Sequence, residues 1–417
     1  MANPARVSVF VEPAFRRYFW STCLSTLATW VLRFLLGWSA WALTGTATWV
    51  GIVSAAMLLP TFLLSPVFGV VSDRINPRNG MLVTLLGQGL VAAAAGSAEL
   101  LGVFGLGPLL FLALVGGAIT AAHQPLRLAL LPLLVPRDVL PGAIGVSAVV
   151  FNSSRILGPA LGGWLLTRAA AGTAFLVAAA LFAGGLLLLA RIRLARRSAA
   201  PGGSTLAGEL LAGLRFVQSH QGIRVILAFT LLNGLLGRTV IELLPAISGK
   251  LLAGNAGTLA TLTATAGAGA ILGGLLLAQR RNAGAGLLRL VVWSQVAGSV
   301  SLLPVAWATS TLRLGAVIFA LSMAMTIAGI GSQALAQLST PDAFRGRVMS
   351  LWVMVTMGAP ALGALALGPA ADRLGFPPIL LATALLVAGA SVWLYRRDRA
   401  LLVPGLAGEE LAAGKHR

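Results

Sequence analysis

Three arginines and one glutamate stand where charge is expensive. Arg33, Arg155 and Arg238 each interrupt a long apolar run, and Glu242 follows Arg238 by four residues. That spacing puts Arg238 and Glu242 on one helix face, where they can pair. A guanidinium is a planar fork of donors that suits a carboxylate or a phosphate. Inside a bilayer such groups line a solute pathway or find a partner. Two uses are open: Arg33 and Arg238 contact a substrate while Glu242 tunes Arg238 or carries a coupling proton, or Glu242 merely neutralises Arg238 while Arg33 and Arg155 bond to carbonyls.

Other chemistries have no footing. Cys23 is the sole cysteine, so no intrachain disulfide forms. His123, His220 and His416 are too scattered to suggest a metal site. No His-Glu-x-x-His string, paired acids or Cys–His pair marks a reaction centre, and no G-x-x-x-x-G-K-[ST] loop marks ATP. The chain is therefore not expected to be an enzyme, and no cofactor or metal is expected.

The elements that must position these charges are membrane spans. The chain is 58% hydrophobic and 10% charged, with mean hydropathy +0.91, whereas a soluble domain is about a quarter charged. Twelve apolar runs occur at about 18–43, 48–71, 80–100, 105–126, 142–167, 172–190, 223–247, 254–279, 286–308, 312–338, 346–370 and 375–395. Each is near or above the ~20 residues that cross a bilayer as a helix. Trp20, Trp49 and Trp307 fall near run ends and read as interface anchors.

Charge then sets orientation. With the N-terminus in the cytoplasm, twenty-three of the thirty basic residues fall on the cytoplasmic side. Only Arg168, Lys250, Arg313 and Arg373 fall on the other, leaving both termini inside. The net charge of +19 is spread through short loops with no continuous basic face, which argues against nucleic acid. Arg33 lies fifteen residues past Tyr18, Arg155 thirteen past Gly142 and Arg238 fifteen past Ile223. At ~1.5 Å per residue all three stand roughly 20–22 Å from the cytoplasmic ends of their spans. Three cations at one depth against one carboxylate predict an anionic or acid-bearing solute. Arg155, on the more peripheral fifth span, is expected to be structural.

The chain divides near its middle. Residues 1–192 are expected to form one six-helix bundle and 222–417 a second with a short cytoplasmic tail. Residues 193–221 form a linker, polar at Ser198–Ser204 and then amphipathic from Thr205, a helix for the membrane surface. The halves repeat: Gly69 corresponds to Gly274, and Pro159-Ala160-Leu161-Gly162 recurs as Pro360-Ala361-Leu362-Gly363. Internal repeats of this kind build many transporters.

Three strings carry a family resemblance. Gly69-Val70-Val71-Ser72-Asp73-Arg74-Ile75-Asn76-Pro77-Arg78 resembles the signature loop between helices 2 and 3 of the major facilitator superfamily. Gly158-Pro159-Ala160-Leu161-Gly162-Gly163 resembles the helix-5 motif of that superfamily's exporters. Thr340-Pro341-Asp342-Ala343-Phe344-Arg345-Gly346-Arg347, with Val135-Pro136-Arg137-Asp138, resembles the drug and siderophore exporter branch that includes the enterobactin exporter. The resemblance implies an all-α membrane protein, twelve transmembrane helices in two six-helix halves. Spans 1, 4, 7 and 10 are then expected to line a central cavity. Gly69, Asp73, Arg74 and Arg78 would form a cytoplasmic gating loop, with Asp73 facing the start of helix 11 near Arg345 and Arg347. Gly158, Pro159, Gly162 and Gly163 would give span 5 a close, bendable contact with the other half.

Two departures matter. Asn76 and Pro77 replace a Gly and a basic residue of the signature, and Asn76 is expected to supply the left-handed turn. Gly37 precedes Trp38 where relatives often carry an acid, which weakens the case for proton coupling. The function implied is a monomeric secondary transporter in a plasma (inner) membrane, an exporter of a small organic solute with possible proton coupling and lipid as its surroundings. A uniporter or importer of the same fold, or a non-transporting receptor or scaffold, is the alternative.

Overall fold

The computed structural model describes residues 9–136, 138–193, 214–279 and 285–398. Every regular element among them is helical, and twelve helices are long and apolar enough to cross a membrane. We label them α1 (Pro13–Thr44), α2 (Ala47–Arg74), α3 (Pro77–Leu100), α4 (Leu106–Leu130), α5 (Leu140–Arg168), α6 (Ala171–Ala190), α7 (a composite running through Gln221–Asn233, Gly234–Arg238, Thr239–Glu242 and Leu244–Leu252), α8 (Ala256–Ala278), α9 (Ala285–Val300), α10 (Thr311–Leu338), α11 (Asp342–Leu374) and α12 (Phe376–Asp398). A helix satisfies its own backbone donors and acceptors, which lipid cannot do, so apolar runs of this length have no other stable form. All twelve predicted spans coincide with these helices.

Local chemistry sets the ends. Asn255 caps α8 by accepting from the Thr258 amide, and Ser310 caps α10 by accepting from the Arg313 amide. Gly375 closes α11 at φ 83, a conformation that a side chain would strain. Asn76 corrects an expectation. Its φ is −68, not left-handed, and its side chain accepts from the amides of Arg78 and Asn79 with Pro77 at the first helical position. The Asn-Pro pair therefore starts α3 as an N-cap.

The chain forms two compact units, one of residues 1–44 and 59–203 and another of 45–58 and 204–417. The first part of α2 thus clusters with the second unit. In the first unit α1 packs on α5 and α6, and α3 on α4 and α6. In the second, α8 and α9 pack on α10, and α9 also on α12. Each unit buries one glutamine. Gln88 on α3 donates to the Gly116 carbonyl (3.0 Å) and the Thr120 hydroxyl (2.8 Å). Gln295 on α9 donates to the Phe229 carbonyl (2.7 Å) and accepts from Ser391. A buried amide is tolerated only when so satisfied.

Most of the predicted linker, 194–213, lies outside the described residues. Residues 214–219 are helical and pack on the second unit. There Phe216 stacks between His220 (3.9 Å between centroids) and Phe344 (4.3 Å).

Candidate functional site: the charged helices

In the second unit the charged pair sits where α7 loses its regularity. Gly234–Arg238 winds as a π-helix, and the chain breaks again at Leu243 before Leu244-Pro245. The sequence explains both. Gly234 and Gly237 let neighbours come close: a Cβ at Gly234 would lie 2.6 Å from that of Ala359, and one at Gly237 2.4 Å from Met325. Pro245 lacks the donor that would continue the ladder. The Thr239 hydroxyl bonds the Gly234 carbonyl at 3.0 Å, taking up an acceptor that the wide turn loosens. Arg238 Nε lies 3.4 Å from Glu242 Oε1, with Arg238 half-buried and Glu242 only 8% exposed. The Ser54 hydroxyl donates to the Glu242 carbonyl (3.2 Å). One turn away, Asn233 Oδ1 is buried with no hydrogen-bond partner among the described residues. Sequence reasoning passed over Asn233, although an Asn-Gly pair inside a span was the available signal. Interrupted helices with freed polar groups are where membrane carriers hold solutes and ions.

In the first unit Arg33 and Arg155 come to one ring. Their guanidinium carbons lie 5.8 Å and 5.7 Å from the centroid of Trp30. The Phe151 ring meets Trp30 edge-on at 5.8 Å, and Arg127 at the end of α4 lies 5.7 Å from Phe151. Arg155 is thus not set apart from Arg33. A separate groove of about 610 Å³ in the same unit, lined by residues such as Phe19, Cys23, Leu27, Val146 and Val150, is apolar.

The glycines of the helix-5 motif correct a second expectation. A Cβ at Gly158 would lie 2.4 Å from that of Trp30, and one at Gly162 2.7 Å from the Phe34 ring. Their close partner is α1 of the same unit, because two helices with bulky aromatics on one side approach only if the other is bare. Pro159 and Gly163 are buried in the same helix.

The loop residues divide. α2 continues past Gly69 to Arg74, which is exposed. The side chain of Asp73 lies outside what the structure describes. Arg78 donates to the Ala190 carbonyl (2.6 Å) and Arg17 to the Arg191 carbonyl (2.7 Å), so both cations sit at the negative end of α6. Arg345 is exposed, and Arg347 lies over Phe344 at 5.4 Å, extending the stack on Phe216.

Asp372 was missed. Its Oδ1 accepts from the Ala47 amide (2.9 Å) and from Lys250, and its Oδ2 from the Thr48 amide (2.8 Å) and hydroxyl (2.6 Å). It therefore caps α2 and pairs with a lysine, all inside the second unit. Backbone meets backbone beside it: a Cβ at Gly368 would lie 2.6 Å from the Ala47 carbonyl oxygen, and one at Gly51 would overlap that of Ala364. The signal was in plain view, since Gly368-x-x-x-Asp372-Arg373 repeats Gly69-x-x-x-Asp73-Arg74.

Twelve membrane helices, with a charged pair at a break in the seventh, suit a multi-pass membrane carrier, and the chain is a transporter of the major facilitator superfamily. Within it the chain belongs to the family described as transmembrane secretion effectors, whose model matches residues 5–401. It is 24% identical over 368 residues to the staphyloferrin A transporter of Staphylococcus aureus, covering 86% of this chain and 89% of that one. It is 27% identical over 376 residues to the uncharacterised transporter YfiS of Bacillus subtilis, covering 85% and 86%. Among solved structures the nucleoside transporter NupG superposes with a TM-score of 0.70 at 14% identity, over 93% of this chain and 99% of that one. A bacterial homologue of the lysosomal transporter Spinster does so with 0.65 at 14% identity, over 94% and 98%. These likenesses support the fold.

Proposed function

We propose that this transporter is a secondary active exporter of a small organic anion, siderophore-like or drug-like, working by alternating access. The observation that carries the reading is the excess of cationic over anionic groups deep in the spans. By count along the spans, Arg33, Arg155 and Arg238 outnumber the one carboxylate away from the span ends, Glu242, at a depth where charged side chains mark a solute or ion pathway. The staphyloferrin A transporter among its relatives supports a solute of this size, and the secretion-effector family supports the outward direction. Loop charge supports a plasma (inner) membrane with both termini cytoplasmic. The dispersed charge supports a carrier that acts without nucleic acid, and the expected unit is a monomer. Glu242 is the candidate for proton coupling.

The test is flux in membrane vesicles under an imposed pH gradient of either sign, with labelled organic anions and lipophilic cations compared in wild type, Arg33→Ala and Arg238→Ala. Anion flux that both substitutions abolish is expected. Robust cation export unaffected by either would refute the reading. Because Gly37 stands where relatives often carry an acid, a second reading is uniport. Flux insensitive to both gradients would favour it.

A further inference from the structure

Two arginines from different helices of the first unit meet at the end of α6. Arg17, near the start of α1, donates to the Arg191 carbonyl at 2.7 Å, and Arg78, at the start of α3, donates to the Ala190 carbonyl at 2.6 Å. α6 packs on both α1 and α3, so the two guanidiniums reach neighbouring carbonyls of one helix terminus. Arg191 and Arg193 add exposed side chains on that terminus itself. The carbonyls of a helix end carry only partial negative charge, and no acid completes the balance. α1 and α6 contain no aspartate or glutamate, and Glu99 lies at the far end of α3. Glu12, just before α1, forms no ion pair among the described residues. A guanidinium has five N–H donors. Arg17 gives one to α6. Arg78 gives one there and one to Asn79 Oδ1, while its buried Nε has no hydrogen-bond partner among the described residues.

Beside this charge the surface turns apolar. Trp20 follows Arg17 by three residues and Leu187 precedes Arg191 by four, spacings that keep each on its arginine's helix face. Both lie one turn deeper into their spans, and Trp20 is 59% and Leu187 62% exposed. We propose that Arg17, Arg78, Arg191 and Arg193 form a headgroup site for an anionic phospholipid whose acyl chain lies against Trp20 and Leu187. Guanidinium forks suit the phosphate oxygens, and basic clusters at the ends of spans recruit anionic headgroups. A free phosphate would use the arginines and leave the apolar wall untouched. The proposal does not depend on what the carrier transports.

The experiment is tryptophan quenching by brominated lipid, with the full-length protein reconstituted in phosphatidylcholine bilayers that contain a minority of phosphatidylglycerol. The Trp20 signal is the difference between wild type and Trp20→Phe. From that signal, phosphatidylglycerol should bind at least about fivefold more tightly than phosphatidylcholine, the weight of a single arginine at a membrane surface. Arg17→Gln and Arg78→Gln should each lower the preference. The double variant Arg191→Gln with Arg193→Gln should bring it close to unity. Its side chains make no hydrogen bond among the described residues, so it carries the decision if either of the other variants folds poorly. Arg168→Gln, at the opposite end of the spans, should leave the preference as in wild type. Equal binding of the two lipids in wild type, or a preference unchanged in the double variant, overturns the site. Displacement of the lipid by inorganic phosphate, where chloride at the same ionic strength has no effect, would make the cluster a phosphate site and overturn the lipid assignment.

Discussion

Replacing Asp372 by alanine removes four acceptor contacts at the first turn of α2. The amides of Ala47 and Thr48 lose the carboxylate on which they converge, and the Thr48 hydroxyl and Lys250 lose it as well. Amides of a first turn have no partner within their own helix, so the carboxylate is their ordered acceptor. Hydrogen bonds to a charged group contribute about 1.5–3 kcal/mol. An anion at a helix N-terminus adds about 0.3–1 kcal/mol. The Lys250 pair, with side chains 28% and 21% exposed, is screened and adds about 0–1 kcal/mol. Because these contributions overlap, the net loss is roughly 2–4 kcal/mol, and at about 1.4 kcal/mol per decade it corresponds to roughly 30- to 1,000-fold. The assay is amide hydrogen exchange of the membrane-embedded protein, read on peptides covering 45–58 and 59–74. Exchange at residues 47 and 48 should rise by at least about 30-fold, since opening of that turn is no longer opposed. Peptides from 59–74, whose helical bonds do not involve Asp372, should keep their rates. Asp372→Asn keeps one acceptor and should show about a tenfold rise. Wild-type exchange at 47 and 48 in Asp372→Ala would show that the cap does not hold the turn, and the reasoning would fail.

Two further outcomes follow from the same contacts. Gly158→Ala should lower the thermal midpoint, because its Cβ meets that of Trp30 at 2.4 Å beside main-chain atoms; the expected loss is about 1–3 kcal/mol, and an unchanged melting curve in detergent would contradict the α1–α5 packing. Arg238→Ala removes the 3.4 Å contact between a one-third-exposed guanidinium and Glu242 and should destabilise by about 1–3 kcal/mol, whereas the double variant Arg238→Met with Glu242→Leu should recover part of that; equal stability of the single and double variants would show that the pair is not coupled.

The spans were legible because the bilayer leaves the chain so little choice. Twenty apolar residues between basic loops can be little else than a crossing helix, and the alternation of Arg74, Arg78 and Arg127, Arg137 against Arg168 checked the count. The pair Arg238–Glu242 was legible for a similar reason, since four-residue spacing is local geometry. What it could not reveal was the π-helix, which depends on how closely Met325, Ala359 and Pro360 approach Gly237 and Gly234. Trp30 and Arg155 are far apart in sequence, and no periodicity says that one indole receives both arginines. Gly158 and Gly162 announced a close contact but not its partner, because a bare helix face is silent about what lies against it. Asp372 was signalled by its repeated Gly-x-x-x-Asp-Arg string, but not its partner: an acid that ends an apolar run does not say that it caps another helix.

The two Gly-x-x-x-Asp-Arg strings mark opposite ends of α2. One closes α2 at Gly69–Arg74, and the other, on α11, caps its beginning through Asp372. At ~1.5 Å per residue, 28 residues separate those ends by about 40 Å, the full thickness of a bilayer with its headgroups. The first residues of α2 cluster with one unit and the remainder with the other. Within the second unit the first turn of α2 is held by two kinds of contact. Asp372 holds its first turn by acceptor contacts that substitution can remove one at a time, while Gly51 and Gly368 hold it by backbone proximity that only a larger side chain can open. The acceptor contacts and the backbone approach are therefore set by different residues, and separate substitutions can weaken either one alone.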